Sequence, residues 1–116
     1  MKNRKEVISK NYLEKVPVRP EHIKWYTDEK GIVTLDIENT GFMNLMAQKL
    51  FRKPKVSHIH LDEMGSFVWP LLDGEKNIIE LGEVVKEQFG EKANPLYERL
   101  AKYFQILDSY KFIEWK

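Results

Sequence analysis

The sequence predicts an α+β domain: a small antiparallel three-stranded sheet followed by a three-helix bundle, with an extra short helix inserted between strands two and three. Three observations carry this. Residues 23–38 and 56–61 alternate apolar and polar side chains with the period of two that a half-buried strand requires. From Asp62 onward apolar residues recur at three- and four-residue spacing instead, the signature of amphipathic helices. The two regimes meet without a loop in residues 56–74, where a strand-like run passes straight into Asp62-Glu63, a good helix start, so both halves must pack around that junction.

In order, residues 1–20 read as a basic N-terminal arm and residues 21–116 as the domain. The arm holds Lys2, Arg4, Lys5, Lys10, Lys15 and Arg19 with Pro17 and Pro20. Such a terminus is most often solvated, and less often a grip for RNA or an acidic partner; Tyr12, Leu13 and Val16 are placed to tack its later part onto the domain. Residues 23–38 predict a hairpin about the turn-like Asp28-Glu29-Lys30-Gly31. Ile23, Trp25, Val33, Leu35 and Ile37 would face inward, and Lys24, Tyr26, Thr34, Asp36 and Glu38 outward.

Residues 41–53 place Phe42, Met43, Met46, Leu50 and Phe51 on one helical stripe that Pro54 ends. A stripe of this kind is more often a helix covering a sheet than a plastic ligand surface, although methionine serves both. Val56 to Leu61 form the third strand, with Ile59 and Leu61 inward and Val56, His58 and His60 outward. The first helix is capped by Asp62, buries Met64, Phe67, Val68, Leu71 and Leu72, and has its last turn tightened by Pro70. Asn77 and Glu80 have capping-box spacing before the stripe Ile78, Leu81, Val85 and Phe89, which Gly90 closes. Asn94-Pro95 opens the third helix as cap and first helical residue, with Leu96, Leu100, Tyr103, Phe104 and Leu107 on its buried side. The last residues, Phe112-Ile113-Glu114-Trp115, form a short strand or tuck back as extended chain.

Composition excludes several classes of function. At 116 residues the chain fits one domain able to bury a core without staples. There is no cysteine, so disulfides, thiolate metal sites and thiol nucleophiles are excluded, and a reducing cytoplasmic setting is expected. Charged residues are 32% of the chain yet sum to +1, which gives no global field to gather nucleic acid or anionic membrane. No apolar run approaches a membrane span, and the first twenty residues are too polar for a secretory signal. His58 and His60 point the same way and could supply two ligands of a zinc or iron site, with His22 or Glu38 as a third, but no spacing fixes one and solvated imidazoles are the commoner outcome. Ser9, Ser57, Ser66 and Ser109 sit in no nucleophile motif, Asp62-Glu63 suits a helix N-terminus better than acid–base work, and no phosphate loop occurs. Neither a catalytic centre nor a cofactor is expected.

The string Leu61-Asp62-Glu63-Met64-Gly65, followed by Val68-Trp69 and Leu72-Asp73-Gly74 and set in a strand hairpin, third strand and helices running to Phe112-Ile113, resembles the PqqD family from Ile23 to the C-terminus. That resemblance implies a compact winged-helix-like domain, residues 21–116, serving as a recognition element for a ribosomally made precursor peptide. The leader segment would add as a strand beside the third strand, and a partner enzyme, often a radical S-adenosylmethionine protein, would do the chemistry. Carried over by position, the edge falls on Val56, Ser57, His58, Ile59 and His60. The third helix forms the other wall, for which helix geometry suggests Tyr97, Leu100, Ala101 and Phe104. The chain departs from short family members in its basic arm and in the 41–54 insertion, which could cover the edge.

The physical case for such a site is general. An edge strand offers unpaired amides and carbonyls that an extended peptide can satisfy, while alternate side chains enter pockets. Lys102 and Arg99 near the wall would favour acidic leaders. The main alternative is a winged helix-turn-helix DNA-binding protein reading the major groove with its third helix, yet the first turns of that helix, Asn94-Pro95-Leu96-Tyr97-Glu98-Arg99, are a poor surface for phosphates or base edges. Pairing of two copies through the edge, a homodimer, is the remaining reading.

Overall fold

The computed structural model describes residues 10–38 and 56–116. The start of the basic arm and the expected inserted helix, with the question of whether it covers the edge, lie outside the described residues. The elements in chain order are α1 (Lys10–Leu13), β1 (Pro17–Val18), β2 (Lys24–Thr27), β3 (Val33–Glu38), β4 (Val56–His60), α2 (Glu63–Val68), α3 (Ile78–Phe89), α4 (Leu96–Ser109) and β5 (Glu114–Trp115). The fold is α+β, a three-stranded antiparallel sheet ordered β2-β3-β4 against the helices, and is compatible with a winged-helix-like domain.

The hairpin forms where the alternation places it. Asp28 accepts hydrogen bonds from the amides of Lys30 and Ile32 through one carboxylate oxygen, and Gly31 takes a φ of +82° that a side chain would resist. Register pairs Trp25 with Leu35 and Leu35 with Ile59, so these share the inner face, and Val33 and Leu35 are fully buried. Thr34 corrects the expectation for the outer face: it is only 1% exposed. Its cross-strand partners Tyr26 and His60 flank it, and its hydroxyl bonds His60 Nδ1 at 2.8 Å, so a small residue on the central strand is covered by two large ones.

Asp62 caps α2 by accepting from the Gly65 amide at 2.7 Å, and Pro70 tightens the continuation, Trp69–Leu71, into a 3-10 turn. Trp69, which the periodic reading leaves out, is fully buried in the core. Asn77 and Glu80 form the reciprocal capping box at 2.8 and 2.9 Å, Ile78, Leu81 and Val85 are buried, and Gly90 ends α3 at φ +60°. The third helix starts one residue later than expected. Asn94 is extended, as the residue before proline prefers, Pro95 is the N-cap without a side-chain cap bond, and Leu96 is the first helical residue.

Residues 10–20 are folded onto the domain. Tyr12 and Leu13 pack against the core, and β1 pairs antiparallel with β5, Pro17 opposite Trp115. Arg19 ties this layer down: its Nη1 donates to the Trp69 and Pro70 carbonyls at 3.2 and 2.6 Å, and its guanidinium lies over the Trp25 ring. Among the described residues no helix is long and apolar enough to cross a membrane.

Candidate functional site

Strand order leaves β4 with a neighbour on one side only among the described residues. The hydrogen-bond pattern then says which groups face outward. The Leu61 amide donates to the Val33 carbonyl at 2.9 Å, and in an antiparallel ladder bonded pairs alternate with non-bonded ones. Counting back along the register, Ile59 opposite Leu35 and Ser57 opposite Ile37 direct their main chain at β3. His58 and His60, opposite Asp36 and Thr34, direct theirs away from the sheet. The main-chain donors and acceptors that point away from β3, with no partner among the described residues, are therefore those of the two histidines, while Ile59 contributes its side chain.

Between this edge and α4 lies a cleft of about 580 Å³. Ile59, Leu61 and Met64 line one side, and Tyr103, Ile106 and Tyr110 the other. Its apolar side chains are open to solvent, with Ile59 37%, Ile106 47% and Tyr110 65% exposed. The Tyr110 ring stacks on Phe112 with centroids 5.4 Å apart, across Lys111, whose φ of +60° turns the chain sharply at the end of α4. Arg99 and Lys102 line the opposite end of the cleft, with Asp62. Beyond the Tyr110–Phe112 stack a smaller cavity, about 260 Å³, is lined by His22, Ile37 and Glu38 among others.

The cleft floor is fixed by contacts between α2 and α4. The Tyr103 hydroxyl donates to the Gly65 carbonyl at 3.0 Å. Burial, and secondarily the charge of Asp62, raise the Tyr103 pKa far above the usual phenol value, so the hydroxyl stays a donor well into alkaline pH. Outside the cleft, His58 Nδ1 pairs with Asp36 Oδ1 at 2.7 Å on the outer sheet face. No group of three or more histidine and carboxylate ligands comes together among the described residues, so His58 and His60 gain no third ligand from His22 or Glu38.

The five edge residues, Val56, Ser57, His58, Ile59 and His60, fall together on β4. The four proposed for the wall do not reach the cleft. Leu100 and Phe104 are 0% and Ala101 2% exposed, facing the core. Tyr97 packs over Gly82 of α3 and its hydroxyl donates to the Ile79 carbonyl at 3.3 Å. The wall is the adjoining face, Tyr103, Ile106 and Tyr110, spaced three and four apart. Tyr103 already belongs to the expected buried side, and the apolar residues Ile106 and Tyr110, three and seven positions beyond it, are the signal that could have found the rest.

A family model described as coenzyme PQQ synthesis protein D (PqqD) matches residues 31–113, from the hairpin turn through β4, the cleft and α4 to the chain just before β5. No curated protein and no solved structure matches the chain.

Proposed function

The chain belongs to the PqqD family, and we propose that it is a non-catalytic recognition module that binds the leader segment of a ribosomally made precursor peptide by strand addition and presents it to a modifying enzyme, a radical S-adenosylmethionine protein in the first instance. The observation that carries this reading is the coincidence of a strand that has a sheet neighbour on one side only among the described residues with an apolar cleft beside it. Outward amides and carbonyls of His58 and His60 give the peptide main-chain partners, and the cleft between Ile59 and Ile106 takes its alternate side chains. Val56 and Ser57 continue the edge at its start. Leu100, Ala101 and Phe104 act behind the wall by holding α4 on the core, and Tyr97 by holding α4 on α3, rather than by touching peptide. The setting is cytoplasmic, where precursor and enzyme meet.

A bound leader must be ordered from a flexible state, which offsets part of the contact energy, so affinity falls in the micromolar to nanomolar range. The test is titration of labelled leader peptides encoded near this chain's gene, with a random DNA duplex at moderate salt as the rival ligand. Saturable peptide binding is expected. Duplex binding without peptide binding would favour a winged helix-turn-helix role, and a stable dimer that binds neither would favour pairing of two copies through β4.

A further inference from the structure

The two ends of the cleft differ in chemistry. At one end stand Lys102 and Arg99. Lys102 is exposed and its ammonium has no partner among the described residues, while Arg99 spends one nitrogen on the Lys92 carbonyl at 2.9 Å and keeps its charge. Asp62 is the carboxylate that lines this end, and one of its oxygens is engaged by the Gly65 amide at the start of α2. Cations therefore outnumber anions here. At the other end the lining is the Tyr110–Phe112 stack, with Ile106 between.

The lengths match an extended peptide. Lys102 and Tyr110 are eight residues apart on α4 and its C-cap, which at a helical rise of about 1.5 Å is roughly 12 Å. An added strand advances about 3.3 Å per residue, so it covers that distance in about four residues. Because successive side chains alternate, the first, third and fifth of such a segment face α4. The sheet is antiparallel throughout, and antiparallel pairing is the more stable per residue. β4 runs toward Asp62, so an antiparallel partner enters the cleft at the Lys102 end.

Resting on the strand-addition reading, we propose that the cleft selects leaders carrying, from N- to C-terminus and at alternate positions, an acidic residue, an aliphatic residue and a ring-bearing or bulky apolar residue. The acid meets Lys102 and Arg99, the aliphatic side chain sits between Ile59 and Ile106, and the last packs on the Tyr110–Phe112 stack. Lys102 is the residue that sets the charge preference.

The experiment uses the full chain and three synthetic peptides in one polar frame, bearing Asp-x-Leu-x-Phe, Lys-x-Leu-x-Phe and the reversed Phe-x-Leu-x-Asp, read by fluorescence anisotropy at low and moderate salt. The aspartate peptide should bind tighter than the lysine peptide by on the order of tenfold, as expected for a swing from attraction to repulsion at an exposed pair of cations, and salt should narrow the gap. Lys102→Glu should invert the preference. Equal affinity for the two peptides, or a preference that Lys102→Glu leaves unchanged, overturns the charge rule while strand addition stands. Reversed peptide binding as tightly as the forward one overturns the assigned direction. Absence of binding by all three overturns strand addition itself, and this rule with it.

Discussion

The Tyr103 hydroxyl donates to the Gly65 carbonyl at 3.0 Å, and the two residues are so close that a β-carbon built at Gly65 would lie 2.8 Å from Tyr103 Cε1. The same β-carbon would lie 2.8 Å from Asp62 Oδ1, the oxygen that caps α2. One glycine thus lets the α2 cap and the α4 wall approach together, which sets the width of the cleft. This gives a physical reason for a glycine at the end of Leu61-Asp62-Glu63-Met64-Gly65.

Gly65→Ala should therefore destabilise the fold by about 1–3 kcal/mol, the usual cost of overpacking, because the atoms it meets are a half-buried ring tied by its hydroxyl and an engaged carboxylate rather than a free chain end. Urea unfolding measures it. Peptide affinity should fall as well, since relief requires Tyr103 to move away from α2. A variant as stable as the parent would mean that the α2–α4 approach is looser than the contact implies.

Proline substitutions separate the two sides of β4. At His58 the amide points away from β3, so His58→Pro should leave the sheet paired while removing a donor that a peptide needs. At Ile59 the amide points at β3, so Ile59→Pro should break the ladder and cost about 3 kcal/mol or more of stability. His58→Ala keeps the amide and removes only the imidazole bonded to Asp36, so its loss of peptide affinity should be smaller than that of His58→Pro, by roughly tenfold for one hydrogen bond and the space the ring occupies. Thermal unfolding read beside peptide titration distinguishes the three, and equal losses for His58→Pro and His58→Ala would count against main-chain recognition.

How far the sequence was legible follows from which signals are local. Capping by Asp62 and Asn77, the alternation of β2 and β3, and the stripe of α3 each depend on residues within a turn or two, and each appears where its pattern puts it. The face of α4 that lines the cleft lies beside the one the stripe suggests, because a helical stripe reports burial and not what covers it. Leu100 and Phe104 meet the core, while Ile106 and Tyr110, apolar and off that stripe, meet solvent. The late start at Leu96 follows from Pro95 itself, whose extended backbone (φ −77°, ψ +107°) puts it in the cap position and leaves Asn94 one residue outside the helix. Burial of Trp69 and Thr34, the Arg19 contacts and the β1–β5 pairing join residues far apart in the chain, where no periodic pattern reaches.

Substitution on the two faces of α4 tests the reassigned wall. Leu100→Ala should cost about 2–5 kcal/mol of stability, as for a fully buried leucine. Ile106→Asp, at a side chain 47% exposed, should leave unfolding within about 1 kcal/mol and lower peptide affinity by tenfold or more, since it places a charge in the apolar middle of the cleft. Tyr97→Phe, far from the cleft on Gly82, should change stability by no more than about 1 kcal/mol through its single hydroxyl bond, with peptide affinity unmoved. Affinity that follows Tyr97 rather than Ile106 would return the wall to the face first expected.

Alkaline pH probes the tyrosines that anchor both layers. Burial, with a smaller contribution from Asp108, raises the Tyr12 phenol from 10.0 to about 12. Burial followed by the charge of Glu83 raises that of Tyr97, and burial followed by that of Asp62 raises Tyr103 further still. The raised groups keep their protons in the folded chain after the unfolded chain has begun to lose them, so the unfolded state binds fewer protons and stability falls as pH rises. The contribution of Tyr12 is fully present below pH 10.0 and is lost as pH climbs through about 12. Tyr103→Phe removes the dependence that extends furthest into alkaline pH, so it should flatten the decline in unfolding midpoint above pH 10 even though it also gives up the Gly65 bond. Tyrosinate absorbance tracked with circular dichroism follows both events. Ionisation of all five tyrosines near pH 10 with the fold intact would contradict the burial of Tyr12 and Tyr103.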